Sequence, residues 1–418
     1  MSAISPGAEP AQDLTPLRHP MWVVAAVCAL ALMSTAGVAM PYPILAPIFV
    51  SGAVDGFTHF AGQDPKLLMG IALAANPLGI LLGSLFIAPL SDRYGRRAVL
   101  SVTLLATLIG YLLSALALAQ RQYLLFVLAR FLTGVTEGNV AVARALLADM
   151  HAQVDRTRAF AWLNACLYAG WLLGPLVGGL TLPLGEPVPF VLAGLAMLPC
   201  LLVLGLGVPA AKHQGASPAL WQAMREQQAF GLLKQDAVLA RLFVLQLVYT
   251  VGLNGLYEFA PLWMLENAGL DSRGIALVTA GQCALMTLAS VAAGRFGGQA
   301  AHPLGRAAKM ALLAAVGLLL LAALPGRAGL LVIMALGAPL ALYNAVLPAW
   351  MSERFAAHGQ GRVMGLLSTI FCLGNVITAL GGGLLALLST RWIMGLGGLM
   401  CLLAAGLLLR LAASEAKQ

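Results

Sequence analysis

Apolar runs long enough to cross a bilayer alternate with short polar segments along the whole chain. A membrane helix needs about 20 consecutive apolar residues. Twelve runs meet that need, at 22–49, 67–90, 98–119, 123–148, 159–182, 188–207, 239–264, 274–294, 307–323, 329–351, 363–388 and 392–411. Strict one-in-two alternation, the mark of a membrane barrel, is not seen in them. The pattern predicts an all-α integral membrane protein of twelve transmembrane helices. Pro41, Pro43 and Pro47 near the end of the first run predict a kink there. The longest polar stretch after the N-terminus runs from Val208 to Asp236 and divides the runs into six and six. The expected organisation is an N-terminal six-helix bundle (1–207), a linker (208–238) and a C-terminal six-helix bundle (239–418). Leu220 to Leu233 within the linker reads as an amphipathic surface helix.

Composition sharpens this picture. The chain is 60% hydrophobic and 10% charged, against about 25% charged in a soluble domain. Its 46 glycines and 22 prolines lie largely inside the apolar runs, where small residues let helices approach and neighbours satisfy freed backbone groups. The first 20 residues are polar and Pro-rich, and the first apolar run is too long for a signal h-region, so no cleavable signal is expected. The six cysteines fall inside apolar runs without a CxxC pair and read as small core residues. Neither a disulfide nor a metal site is expected.

The net charge of +8 would suggest nucleic acid until the charges are placed. With both termini in the cytoplasm, 17 Lys and Arg fall in cytoplasmic segments and 5 in outer ones. The positive-inside rule then gives a multi-pass protein of the cytoplasmic (inner) membrane, with lipid and not nucleic acid as its partner.

The halves are weakly alike. Arg158, Gly170, Gly178 and Gly179 in the fifth run match Arg362, Gly374, Gly382 and Gly383 in the eleventh at a shift of 204. Asn139 matches Asn344 at a shift of 205. Two repeated halves around a shared site are the architecture of alternating-access carriers.

Three segments carry chemistry. "APLSDRYGRR", Ala88 to Arg97, is a short loop whose turn needs Gly95 and whose basic residues hold it in the cytoplasm. "RFLTGVTEG", Arg130 to Gly138, places Arg130 and Glu137 on one helix face, about 10 Å apart in depth at 1.5 Å per residue. Thr133 and Arg144 continue the stripe, with Arg144 snorkelling toward the interface. Charges at such depth mark an ion or substrate path, or else a structural ion pair. "GWLLGPLVGG", Gly170 to Gly179, combines close-packing glycines with a bend at Pro175.

These segments resemble the major facilitator superfamily. The Asp-Arg-x-Gly-Arg-Arg loop is similar to that family's loop signature, with Ala88 where the family opens on Gly. The resemblance implies a latch of Asp92 and Arg96 with Asp149, framed by Arg93, Gly95 and Arg97. The helix 5 pattern of Gly170, Gly174, Pro175, Gly178 and Gly179 resembles the motif of drug:proton antiporters, with Ala161 in place of a further upstream Gly. The end of the first run, "MPYPILAP", is similar to the twelve-helix drug antiporters as well. The implied fold is two pseudo-symmetric six-helix bundles. The implied activity is proton-coupled export of a small amphipathic molecule, with drug or multidrug efflux foremost.

Candidate proton-coupling residues are Glu137, Arg130 and Glu258. Glu258 lies toward the outer end of the seventh run, as a second proton site or a solvated rim residue. Candidate substrate contacts are Asn164, Tyr168, Tyr257, Gln282, Tyr343 and Asn344, each of which could equally make interhelical hydrogen bonds. No Walker loop, H-E-x-x-H or G-x-S-x-G occurs, so neither ATP nor enzymatic chemistry is expected. The resemblance implies the proton gradient as energy source, without a cofactor, and a monomer is the expected working unit. A dedicated exporter of an endogenous metabolite such as a siderophore or sugar, an uptake symporter, and a non-transporting receptor or scaffold of the same fold remain open readings.

Overall fold

A computed structural model describes residues 20–149, 156–208, 230–296, 302–324, 326–355 and 360–415. Among the described residues every regular element is helical. In hydrocarbon, backbone groups must be satisfied within the segment, and helices do this. In chain order they are α1 (Pro20–Ala39), α2 (Tyr42–Ala46), α3 (Pro65–Tyr94), α4 (Arg96–Ala119), α5 (Tyr123–Glu137), α6 (Val140–Asp149), α7 (Arg156–Thr181), α8 (Val188–Leu195), α9 (Met197–Gly207), α10 (Phe230–Gln235), α11 (Ala237–Ala268), α12 (Ser272–Phe296), α13 (Pro303–Ala323), α14 (Ala328–Arg354), α15 (Gln360–Ala386) and α16 (Thr390–Glu415).

Eleven spans among the described residues are long and apolar enough to cross a membrane. The twelfth expected span, 123–148, is α5 and α6 separated by Gly138 and Asn139. The first span breaks where its prolines predict: α1 stops at Ala39, α2 follows after a turn, and a π-helical turn covers Pro47–Ser51. The sixth span is α8 and α9. Helix ends are capped from the sequence. Asp64 accepts from the Lys66 amide at 2.8 Å, Asp236 accepts from Val238 and Leu239, and Gly269 closes α11 at φ 65°. Most of the expected linker helix lies outside the described residues, with only α10 at its C-terminal end.

Packing repeats between the halves. In the first, span 2 packs on span 4 (α3 on α5), span 1 on span 5 (α1 on α7), span 3 on span 4 (α4 on α5), and spans 1 and 3 on span 6 (α9). In the second, the same pairs recur six spans later: α12 on α14, α11 on α15, α13 on α14, and α11 and α13 on α16. The main contacts between halves, α3 with α15 and α7 with α12, are related by the same exchange. The weak sequence repeat is therefore a repeat of structure.

Among the described residues, contacts between halves are found at mid-depth and on the side of the Lys66 end of α3. At that side Lys66 of α3 makes a 2.6 Å ion pair with Glu266 of α11, and its Nζ donates to the Ala386 carbonyl of α15 at 3.1 Å. Glu266 also accepts from Thr390 at 2.9 Å. Gly70 and Gly383 meet backbone to backbone, where a Cβ on Gly383 would lie 3.2 Å from the Gly70 Cα. At mid-depth the rings of Tyr42, Trp171, Tyr257 and Phe371 cluster across the divide, Trp171 lying 6.0, 5.6 and 5.8 Å from the others.

Candidate functional site

Glu137 is the last residue of α5, and its surroundings are set by glycines. Gly79 and Gly83 of α3 face Phe131 to Val135 of α5, and Gly134 and Gly138 face Asn76 and Gly83–Ser84 in return. A Cβ on Gly138 would fall 2.7 Å from the Ser84 nitrogen. Close approach of this kind is what small residues permit between membrane helices. It brings Asn76 within reach, and its Nδ2 donates to Glu137 Oε2 at 2.8 Å. Gly110 sits against Thr133, drawing α4 in as well, and Tyr111 Oη donates to Glu137 Oε1 at 2.5 Å. Gly37 of α1 closes the fourth side, where a Cβ would meet the Tyr111 hydroxyl and Glu137 Oε1. Glu137 is 2% exposed. Four spans thus enclose one carboxyl group, held by two neutral donors at a helix break.

Arg130, also 2% exposed, does not pair with it. Among the described residues no ion pair joins Arg130 to Glu137. The seven-residue spacing keeps them on one face but two turns apart. The guanidinium instead lies 5.9 Å from the ring centroids of both Tyr111 and Phe190, a cation–π arrangement. Its Nε and Nη1 have no hydrogen-bond partner among the described residues. Asn139, past the break, donates to Thr103 at 3.0 Å, and Thr107 and Thr136 pair at 2.7 Å.

The second buried acid is Glu258 of α11. The sequence left open a solvated rim position; at 2% exposure it is interior instead, because α2 and α15 cover that face of α11. Among the described residues, both of its oxygens, Asn254 Nδ2 one turn away and Gln282 Nε2 on α12 lack hydrogen-bond partners. Tyr257 is half-buried with its ring on Trp171. Tyr343 is fully buried, donates to Gln246 Oε1 at 2.7 Å and stacks on Tyr249 at 3.8 Å, which gives it an interhelical role in this state. Asn344 beside it is half-buried. Asn164 and Tyr168 lie on α7, and Arg144 and Asp149 on α6, with their side chains outside the described residues.

The loop motif turns at Gly95, whose φ of 89° suits glycine. Asp92 and Arg96 pair at 3.8 Å, Arg93 lies 5.5 Å over the Tyr94 ring, and Arg97 Nη1 donates to the Val208 carbonyl at 2.8 Å. The helix 5 glycines divide their work. Gly170, Gly174 and Gly178 press α7 onto α1 and α2, against Leu32 to Ala36, Ala36, and Met40 with Ile44 respectively. Gly179 faces the other half, where a Cβ would lie 2.6 Å from the Ser272 carbonyl of α12. Pro175 lies within α7.

The family model of the Major Facilitator Superfamily matches residues 21–334. The chain belongs to the major facilitator superfamily. Among curated relatives, a class C tetracycline resistance protein of Escherichia coli is 29% identical over 320 residues, 73% of this chain and 77% of that protein. A class B tetracycline resistance protein of Escherichia coli is 30% identical, but the match spans only 41% of each chain. Multidrug resistance protein 2 of Bacillus subtilis is 24% identical over 84% of this chain and 86% of its own. Among solved structures, the nucleoside transporter NupG aligns with a TM-score of 0.72 at 12% identity, covering 93% of this chain and 99% of that one. The xylose transporter XylE from E. coli, in a partially occluded inward open conformation, aligns at 0.68 and 17% identity over 93% and 96%. The structural neighbours share the superfamily's all-α transporter fold, which confirms the architecture expected from the twelve apolar runs.

Proposed function

We propose that this superfamily member exports a small amphipathic molecule across the bacterial cytoplasmic membrane in exchange for protons. The observation that carries the reading is Glu137: a buried carboxyl group whose partners, Tyr111 and Asn76, are neutral. A carboxylate there accepts from both. A protonated carboxyl can keep the Asn76 bond and must reorganise the Tyr111 bond, so gain of a proton changes helix–helix bonding at the point where α5 breaks. Arg130, with unpartnered N–H groups two turns away, is free to answer that change by taking an anionic group or the carboxylate itself.

Export is supported by the Gly-Pro pattern of α7 and by similarity to proteins named for tetracycline and multidrug resistance. With both termini in the cytoplasm, the clamp at Lys66, Glu266 and Gly383 lies on the outer side, which describes an inward-facing state. Transport is then a rocking of residues 1–207 against 239–418, with 208–238 as tether and the loop latch Asp92–Arg96–Asp149 closing the opposite state. Asn164, Tyr168, Tyr257, Gln282, Tyr343 and Asn344 are the proposed substrate contacts, and Glu258 a second proton site. The test is a susceptibility panel of tetracycline, lipophilic cations and neutral antibiotics, in a bacterial host lacking its own efflux pumps. Resistance conferred by wild type and lost in equally expressed Glu137→Gln is the expected result. No resistance from well-expressed wild type would turn the assignment to a dedicated metabolite exporter.

A further inference from the structure

Spans 1 and 5 run side by side in constant register. Gly170 faces Leu32, Thr35 and Ala36, Gly174 faces Ala36, and Gly178 faces Met40 and Ile44. Each four-residue step on α7 is matched by four on α1. One step further toward the side of the chain termini, the ladder brings Cys166 of α7 beside Cys28 of α1. Both are partly exposed, unlike the buried Cys200, Cys372 and Cys401. Both border a cavity of about 240 Å³, whose other lining residues are Met21, Val24, Ala25 and Trp162. The sequence, with the two cysteines 138 positions apart and no CxxC spacing, gives no sign of the pair.

We propose that Cys28 and Cys166 form a dithiol site for monosubstituted trivalent arsenicals, with the organic substituent seated in the adjoining apolar cavity. The chemistry suits the arrangement. A trivalent arsenic bearing one carbon substituent has two remaining valences, and two adjacent thiols satisfy both. Two S–As bonds form, the arsenic–oxygen bonds break, and the oxygen leaves as water with the two thiol protons. Arsenic stays trivalent and no oxidant is needed. A disulfide would demand closer sulfur approach and an acceptor for two electrons. A bridging arsenic spans a wider sulfur–sulfur separation than a disulfide bond does. The Met21, Val24 and Trp162 side chains supply the apolar wall that an aryl group would need.

The site is independent of the transport reading, because it lies within one half of the molecule and uses neither Glu137 nor the clamp. The probe is phenylarsine oxide, added to purified, pre-reduced full-length protein in detergent. Intact-mass spectrometry is expected to show one phenylarsenic group per chain, stable to excess monothiol and removed by a dithiol. Cys28→Ser and Cys166→Ser, each checked for monodispersity, are expected to lose the dithiol-sensitive adduct, and Cys283→Ser to keep it. Should Cys28→Ser fail to fold, Cys166→Ala supplies the second arm. Absence of the adduct on wild type, or its persistence in the Cys28 and Cys166 variants, overturns the proposal.

Discussion

Tyr111 Oη lies 2.5 Å from Glu137 Oε1, and this bond joins two spans that have no spacing relation in the sequence. It is the shortest of the contacts that hold the buried carboxyl group, and Gly37, Gly110 and Gly134 leave room for α1, α3, α4 and α5 to converge there.

Tyr111→Phe leaves Glu137 with one donor. Losing a hydrogen bond to a buried charged group costs about 1–3 kcal/mol, so the variant is expected to unfold at lower temperature than wild type. In a Glu137→Gln background the same change is expected to cost less, because the two residues share one interaction. A thermal-unfolding double-mutant cycle checks this, and strict additivity would contradict the bond.

The glycines of α7 offer a contrast. Gly174 packs within the first half against Ala36, whereas Gly179 packs across to Ser272 and Ala276. Gly174→Val is expected to destabilise the protein, by about 1–3 kcal/mol as overpacking generally does. Gly179→Val instead forces the halves apart, and is expected to change the conformational equilibrium more than stability. Melting temperature and protection of the Lys66–Glu266 face from a membrane-impermeant thiol reagent, read at a single introduced cysteine, separate the two effects.

How far the sequence reached depends on the kind of relation. Hydropathy located the eleven spans long and apolar enough to cross a membrane and the run that forms α5 and α6, because burial in lipid is a property of each run by itself. Pro41, Pro43 and Pro47 announced the first break, because proline removes a donor locally. The break at Gly138–Asn139 carried no such mark, since glycine there serves contact with α3. Asn76 and Tyr111 were missed as partners of Glu137 because they come from other spans, where periodicity is silent. The burial of Glu258 was hidden likewise, depending on which helices cover its face. Trp171 sits inside the glycine motif, and its role in the aromatic cluster between halves emerges only from packing.

Lys66 and Glu266 bind the halves on the side opposite the termini. Lys66→Ala removes the ion pair and the bond to the Ala386 carbonyl together, so that side is expected to open more often. Spin labels at Gln63→Cys and Leu388→Cys, with native cysteines replaced, report the separation. A longer distance population in Lys66→Ala is the expected outcome; an unchanged distribution would show that the glycine and aromatic contacts suffice.

Asp55, in the loop after the first span, has a carboxyl group shifted by its surroundings. Burial alone would raise its carboxyl. The Thr58 and Phe57 amides at 2.9 Å and the Arg121 guanidinium at 3.1 Å outweigh burial and hold the carboxyl below its ordinary value of 3.8. A lowered folded value means that the stabilisation is full above the ordinary value and fades as pH falls through the folded one. Asp55→Asn is therefore expected to lower the melting temperature at neutral pH, with the gap from wild type closing in strong acid. A gap that stays constant would remove the charge from the explanation.

If a proton on Glu137 drives export, proton movement in everted membrane vesicles reports it. With the lumen acidified by respiration, a drug selected from the susceptibility panel is added to vesicles carrying wild type or Glu137→Gln, and lumenal pH is followed by a fluorescent probe. Wild type is expected to release protons on drug addition. Glu137→Gln, present at equal level, is expected to release none while still exchanging labelled drug across the membrane. Equal proton release from both would contradict the role of Glu137.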